Sequence, residues 1–163
     1  MESVEQKKGQ SQPKLPYSLS SLQIDAGKIY GYSPQEVLDT QQSLYEKKLT
    51  TYPRSDCDYL PTNQLADVPL ILKSLCALTD DLAQMVEHAD PSLRSRAWND
   101  KKISAHHAII PTTITPEWDK LTEKEQNLYT LVAKAYLAQF YQPQTFLSTK
   151  IQIRCAGESF HAS

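Results

Sequence analysis

Leu49-Thr50-Thr51-Tyr52-Pro53-Arg54-Ser55-Asp56 carries more chemistry than a loop or a core segment needs. Its first four residues are β-prone and few, and Pro53 ends them. A short extended segment therefore delivers a tyrosine, a proline fixes the backbone behind it, and an arginine and an acid follow at two-residue steps. In extended chain, residues i and i+2 point the same way, so Tyr52, Arg54 and Asp56 are expected on one face. A phenol with a pKa of about 10 is a poor nucleophile at neutral pH. A guanidinium beside it favours the phenolate and also holds phosphate oxygens through parallel N–H donors. Phosphoryl transfer to tyrosine requires that pairing. The ordinary alternative, a half-buried strand tyrosine next to a surface Arg–Asp pair, stays open on the pattern alone.

A second stretch stands out downstream: Ser104-Ala105-His106-His107-Ala108-Ile109-Ile110-Pro111-Thr112, with Lys101 and Lys102 just before it. Imidazole donates to phosphate oxygens and moves protons near neutral pH. Neighbouring residues of an extended segment point to opposite sides, so His106 and His107 are expected to diverge. One buried, satisfied histidine and one exposed one is the ordinary alternative, and two adjacent histidines seldom hold a metal without further ligands. The other basic residues, Lys47-Lys48 and the group from Arg94 to Lys102, read as solvated surface or phosphate contacts. The nine tyrosines form no stacking stripe.

Working outward, residues 1–16 read as a flexible polar lead-in with Pro13 and Pro16. A short helix is expected over 18–30, capped by Ser18 or Ser20 and stopped by Gly31. A second, over 34–48, opens with Ser33, Pro34 and Glu36 as a capping box, and Gln41 interrupts its apolar stripe. Thr62 is the expected cap of a third helix carrying Leu65 to Cys76, with Pro69 near its start or breaking it. Residues 80–89 are helical in pattern. Thr122 and Glu125 box the last helix, which Pro143 ends. Residues 145–155 alternate as a strand with one apolar face, and no turn closes it.

With 163 residues, 40% of them hydrophobic and 22% charged, the chain is globular in composition and long enough for a core without staples. Four glycines against ten prolines exclude collagen-like and glycine-linker classes. A net charge of −2 disfavours holding nucleic acid by bulk attraction alone. The three cysteines form no C-x-x-C, so a zinc site or disulfide framework is disfavoured. No apolar run is long enough to span a bilayer, and the polar N-terminus lacks the apolar core of a signal peptide. Phosphate-loop, dinucleotide and H-E-x-x-H signatures are missing.

Taken with Tyr45-Glu46, Tyr59-Leu60-Pro61, Asp100-Lys101-Lys102 and the entry Leu15-Pro16-Tyr17-Ser18-Leu19-Ser20-Ser21-Leu22-Gln23, the two blocks resemble the type IA DNA topoisomerases, in particular the bacterial topoisomerase III branch. The similarity runs from about Pro13 to the C-terminus. It implies a mainly α fold with a small β part. That is the winged-helix-like catalytic domain over 14–143, preceded by the lead-in at 1–13 and followed by a truncated strand segment of the β-rich hinge domain over 144–163. It implies transient single-strand cleavage through a 5′-phosphotyrosine and strand passage without ATP. Tyr52 matches the nucleophile and Arg54 the arginine that orients tyrosine or phosphate. His106 matches the histidine near the scissile phosphate, with Lys102, Asp56 and His107 as further DNA-side candidates. His107 falls where the topoisomerase I branch often has an acid, and Asp56 is placed as a support of Arg54 or the local backbone.

The family's Toprim domain, which binds Mg2+, and its strand-gripping arm find no match here. No cofactor is expected within this segment, Mg2+ belonging to the missing Toprim domain. Single-stranded DNA, weakly held, and the rest of a topoisomerase chain are the expected partners, with no membrane. The expected location is the bacterial cytoplasm, with the nucleoid. Alone the segment is expected to be inactive. The rival is a non-catalytic DNA- or protein-binding module from a truncated topoisomerase-like gene.

Overall fold

Hydroxyl side chains set where most of the α-helices begin, because each accepts a backbone N–H that the first turn leaves unpaired. In the computed structural model, which describes residues 3–162, Ser18 caps α1 (Leu19–Tyr30) and Ser33 caps α2 (Pro34–Glu46). Gly31 closes α1 in the left-handed conformation at φ 73°. Then come α3 (Val68–Cys76), α4 (Asp80–Glu87) capped by Thr79, and α5 (Glu123–Leu137) capped by Thr122. The Ser33 and Thr122 boxes close with Glu36 and Glu125, and Ser18 uses Ser21.

Thr62 does not cap an α-helix. A 3-10 stretch, Thr62–Asp67, precedes α3, and Pro69 sits in the first turn of α3, where its missing N–H costs nothing. Thr62 instead bonds Asp100, through its N–H at 2.8 Å and its hydroxyl at 2.7 Å.

α2 ends earlier than the expected residue 48, because Lys48 turns left-handed at φ 62°. The Leu49 N–H then reaches the Leu44 carbonyl at 2.9 Å, and the Lys48 N–H reaches Tyr45 at 2.8 Å, the paired bonds of a Schellman closure. A side chain in that conformation costs about 1–2 kcal/mol, which glycine relieves at some cost in chain entropy. Lys48→Gly should therefore stabilise the chain by about 0.5–1 kcal/mol in urea unfolding. A loss of stability would mean that the Lys48 side chain contributes more than its backbone strain costs.

The residues Lys14–Tyr141 form one compact unit. α5 runs through its core with Leu128, Tyr129, Val132, Tyr136 and Leu137 buried, and Phe140 meets Tyr136 edge-on at 5.2 Å. Leu22, Leu44, Ile71, Leu75, Ile109 and Ile110 fill the rest. Gln41, which breaks the apolar stripe of α2, is fully buried and donates to the Thr50 hydroxyl at 2.7 Å.

Glu125 is buried too, yet it stays ionised. Burial works to raise its pKa, but the Lys47 ammonium and Ser43 hydroxyl, both at 2.6 Å, and the Thr122 N–H outweigh it and hold the pKa at about 2. The stabilisation is thus complete above the ordinary carboxylate value of 4.5 and fades as pH falls toward 2. Glu125→Gln should cost about 1–3 kcal/mol at neutral pH. In urea titrations its gap to the wild type should shrink steadily below pH 4.5. A gap independent of pH would place the loss in packing.

The two ends of the chain, up to Pro13 and from Gln142 onward, form the second unit. It is an antiparallel sheet in the order β1 (Ser3–Ser11), β2 (Gln144–Cys155), β3 (Glu158–Ala162). Two expectations are corrected here. Residues 3–11 of the stretch expected as a flexible lead-in form strand β1, and the expectation for residues 1 and 2 lies outside the described residues. The ladder of β1 with β2 runs from Ser3↔Gln152 to Ser11↔Gln144, a pairing that no local apolar pattern announces. A turn also closes β2. Ala156 and Gly157 take φ 51° and 86° between the paired Cys155 and Glu158, a two-residue hairpin with both central residues left-handed. Phe146 lies over Gly9, where a Cβ would come within 2.5 Å of its ring.

Among the described residues no helix is long and apolar enough to cross a membrane. The three cysteines are free, Cys57 buried and the other two exposed.

Candidate active site

The left-handed exit from α2 aims Leu49–Tyr52 along the segment 108–112. The Thr51 N–H donates to the Ile110 carbonyl at 3.0 Å, and the Thr112 N–H donates to Leu49 at 3.0 Å. Instead of the expected short strand there is one isolated bridge, Thr50↔Pro111, because prolines at 53 and 111 leave no donors to extend the ladder. The other edge of the histidine segment is held as well. The Ala108 N–H donates to Tyr59 at 2.9 Å and the Ile109 N–H to Tyr17 at 2.7 Å.

This framework brings Tyr52 and His106 together. Their rings stack at 4.1 Å between centroids and 20° between planes. Tyr45, from the last turn of α2, meets Tyr52 edge-on at 6.0 Å and 89°. Tyr45 lies at the end of the apolar face of α2, yet it is 41% exposed and belongs to this ring cluster. His107 has a different partner from His106. Its Nδ1 lies 2.8 Å from the Ala108 carbonyl, and since a carbonyl only accepts, Nδ1 carries the proton.

The chain turns at Pro53-Arg54, so the two-residue period of an extended segment does not run on from Tyr52 to Arg54 and Asp56. Both are exposed, and the ion pairs of the described residues do not include Arg54–Asp56. Lys102 is engaged elsewhere. Its ammonium donates to the Tyr59 hydroxyl at 2.9 Å and stands 4.5 Å from that ring. With Asp56, Cys57, Asp58, Tyr59 and Ser104 it lines an open depression of about 350 Å³. Asp58, which the sequence did not single out, accepts from the Ser18 N–H at 2.9 Å and so ties the motif to the start of α1.

The nine tyrosines differ sharply in what their phenols can do. Burial pushes Tyr129 and Tyr136 well above the usual range. Burial, then a hydrogen bond to Asp25, does the same to Tyr17, and burial raises Tyr30 and Tyr141. The hydroxyls of Tyr32 and Tyr59 accept from Asn127 and Lys102, both at 2.9 Å. That leaves Tyr45 and Tyr52, and of these Tyr52 alone is stacked on an imidazole.

A model of the DNA topoisomerase family matches residues 1–163. The chain is 50% identical over 149 residues to the DNA topoisomerase 3 of Vibrio cholerae serotype O1, covering 91% of this chain and 23% of that protein. It is 44% identical over 164 residues to the DNA topoisomerase 3 of Pasteurella multocida, covering 99% and 25%. It therefore spans about a quarter of the length of these curated relatives. Among solved structures, full-length topoisomerase I from Thermotoga maritima shares the fold. The TM-score is 0.68 at 22% identity, over 98% of this chain and 26% of that one.

Proposed function

The chain belongs to the DNA topoisomerase family, in the type IA class and its topoisomerase III branch, and from that premise we propose that it carries the nucleophile of transient single-strand DNA cleavage. The Tyr52 phenol oxygen attacks a backbone phosphorus in line. The bond from phosphorus to the 3′-oxygen breaks, the phenol loses its proton, and the 3′-oxygen gains one. The 5′-phosphate stays on Tyr52 while the second strand passes the gap. Attack by the 3′-hydroxyl then restores the phosphodiester. One ester replaces another at each step, so no ATP is consumed. The observation that carries this reading is the exposed Tyr52 ring stacked on His106, in a chain whose other tyrosines are mostly buried or bonded.

In this reading Arg54, exposed beside Tyr52 in sequence, supplies charge to the phosphate oxygens as it gains and loses a partner. His106 donates to the phosphate backbone next to the scissile position. Lys102 and Asp56 border the strand along their shared depression. His107 acts through its own backbone bond. Lys14–Tyr141 is the tyrosine-bearing domain, and the sheet is part of the hinge.

The residues described do not fit a magnesium site, since no three His, Cys, Asp or Glu side chains among them gather around a common point. Magnesium and the proton donor for the 3′-oxygen belong to a Toprim domain outside these residues, and no step is derived through the ion. The substrate is single-stranded DNA in the bacterial cytoplasm, and the rest of a topoisomerase chain is the partner.

The test is a chimera in which this chain replaces the matching segment of the Vibrio cholerae relative. It should relax negatively supercoiled DNA and form a covalent adduct with a single-stranded oligonucleotide. A folded chimera that binds DNA and forms no adduct would refute the reading.

A further inference from the structure

We propose that the Thr51 and Ser55 hydroxyls are a two-point clamp that positions His106 against Tyr52; the functional side of this rests on Tyr52 being the nucleophile. The two residues flank Tyr52 at −1 and +3. Their hydroxyls donate to the carbonyls of the two residues that directly follow His106. Ser55 Oγ reaches the His107 carbonyl at 2.6 Å, and Thr51 Oγ1 reaches the Ala108 carbonyl at 3.2 Å.

Each hydroxyl is used in both directions. Thr51 Oγ1 accepts the Ile110 N–H at 3.0 Å, and Ser55 Oγ accepts the Cys57 N–H at 3.2 Å. Ser55 is 1% exposed, so water cannot readily replace it. The clamp does what backbone pairing cannot do here. Pro53 has no N–H, and the turn at Pro53-Arg54 interrupts the backbone pairing there. The backbone bonds between the two segments, Thr51 to Ile110, Thr112 to Leu49 and Ala108 to Tyr59, leave the His107 and Ala108 carbonyls to the hydroxyls. Stacked rings tolerate little sliding, and His107 reinforces the same point by bonding the Ala108 carbonyl from its own ring.

Both hydroxyls donate to and accept from backbone groups, so they act through the position of His106. Thr51→Val keeps the shape and removes the hydroxyl, Ser55→Ala does the same, and Thr51→Ser keeps a hydroxyl.

The first readout is the carbon–proton NMR spectrum of the His106 ring in this chain, which senses the Tyr52 ring current. In the Thr51→Val/Ser55→Ala variant the His106 signals should move to where a Tyr52→Ala variant puts them, while those of His88 stay. Thr51→Ser should keep the wild-type positions. Unmoved His106 signals in the folded double variant overturn the proposal. If the double variant does not unfold cooperatively, the same comparison on the single Ser55→Ala variant decides.

The second readout is the chimera. Cleavage at saturating oligonucleotide should fall roughly ten- to a hundredfold in Thr51→Val/Ser55→Ala, with KM for DNA unchanged, as expected for misplacement of a reacting group. An unchanged cleavage rate in a chimera that still needs Tyr52 overturns the clamp and leaves the nucleophile in place. Signals that move as expected, in a chimera whose adduct does not need Tyr52, overturn the nucleophile and leave the clamp as architecture.

Discussion

Tyr52→Phe in the chimera is expected to abolish the DNA adduct and relaxation while leaving DNA binding nearly unchanged. Phenylalanine keeps the ring that stacks on His106 and receives the edge of Tyr45, so packing is preserved. Only the bond-forming oxygen is lost. Removing the nucleophile of a covalent mechanism costs on the order of 10⁶-fold, which lies below the floor of a gel assay. Tyr45 offers no easy substitute, since its ring meets Tyr52 edge-on at 6.0 Å rather than sharing its stack with His106. Relaxation at a measurable rate, with binding intact, would mean that a different residue attacks the phosphate.

The second large effect is expected at Arg54. Arg54→Ala should slow cleavage by about 10²- to 10³-fold, the usual cost of deleting one preorganised charge at a developing oxyanion. Arg54→Lys should recover only part of this, because an ammonium cannot offer two parallel N–H donors. Arg54 is exposed and no ion pair among the described residues holds it, so neither change should alter stability by more than about 0.5 kcal/mol. Adduct yield against time and urea unfolding, measured on the same variants, separate the two effects. A destabilised variant with normal cleavage would make Arg54 a structural residue.

Capping chemistry was the most legible part of the fold. Ser18, Ser33 and Thr122 start helices where hydroxyl-to-N–H bonding says they should, and Gly31 stops one. What escaped depended on partners distant in sequence. β1 has almost no apolar residue of its own and exists because β2, some 140 residues on, pairs with it at Lys7↔Ser148. The Ala156-Gly157 hairpin escaped because a single glycine in a turn needing two left-handed residues is a weak signal.

The site divides along the same line. The residue types in the two blocks pointed to phosphate chemistry, but alternation could not place Arg54 or Asp56 once Pro53 turned the chain. The contacts between blocks were not legible in the sequence. Nothing in the pattern singles out Thr51 and Ser55, whose partners are the carbonyls of Ala108 and His107 some fifty residues on. Tyr45 could not be placed in the ring cluster, because helical spacing alone cannot tell a buried stripe from one that ends at a functional cluster.

Peptide mapping of the covalent adduct tests the central claim most directly. The chimera is trapped on a single-stranded oligonucleotide, the DNA is trimmed with nuclease, and the protein is digested and sequenced by mass spectrometry. The account predicts a nucleotide joined through its 5′-phosphate to the peptide bearing Tyr52. A nucleotide on any other residue, or one joined through a 3′-phosphate, would contradict it.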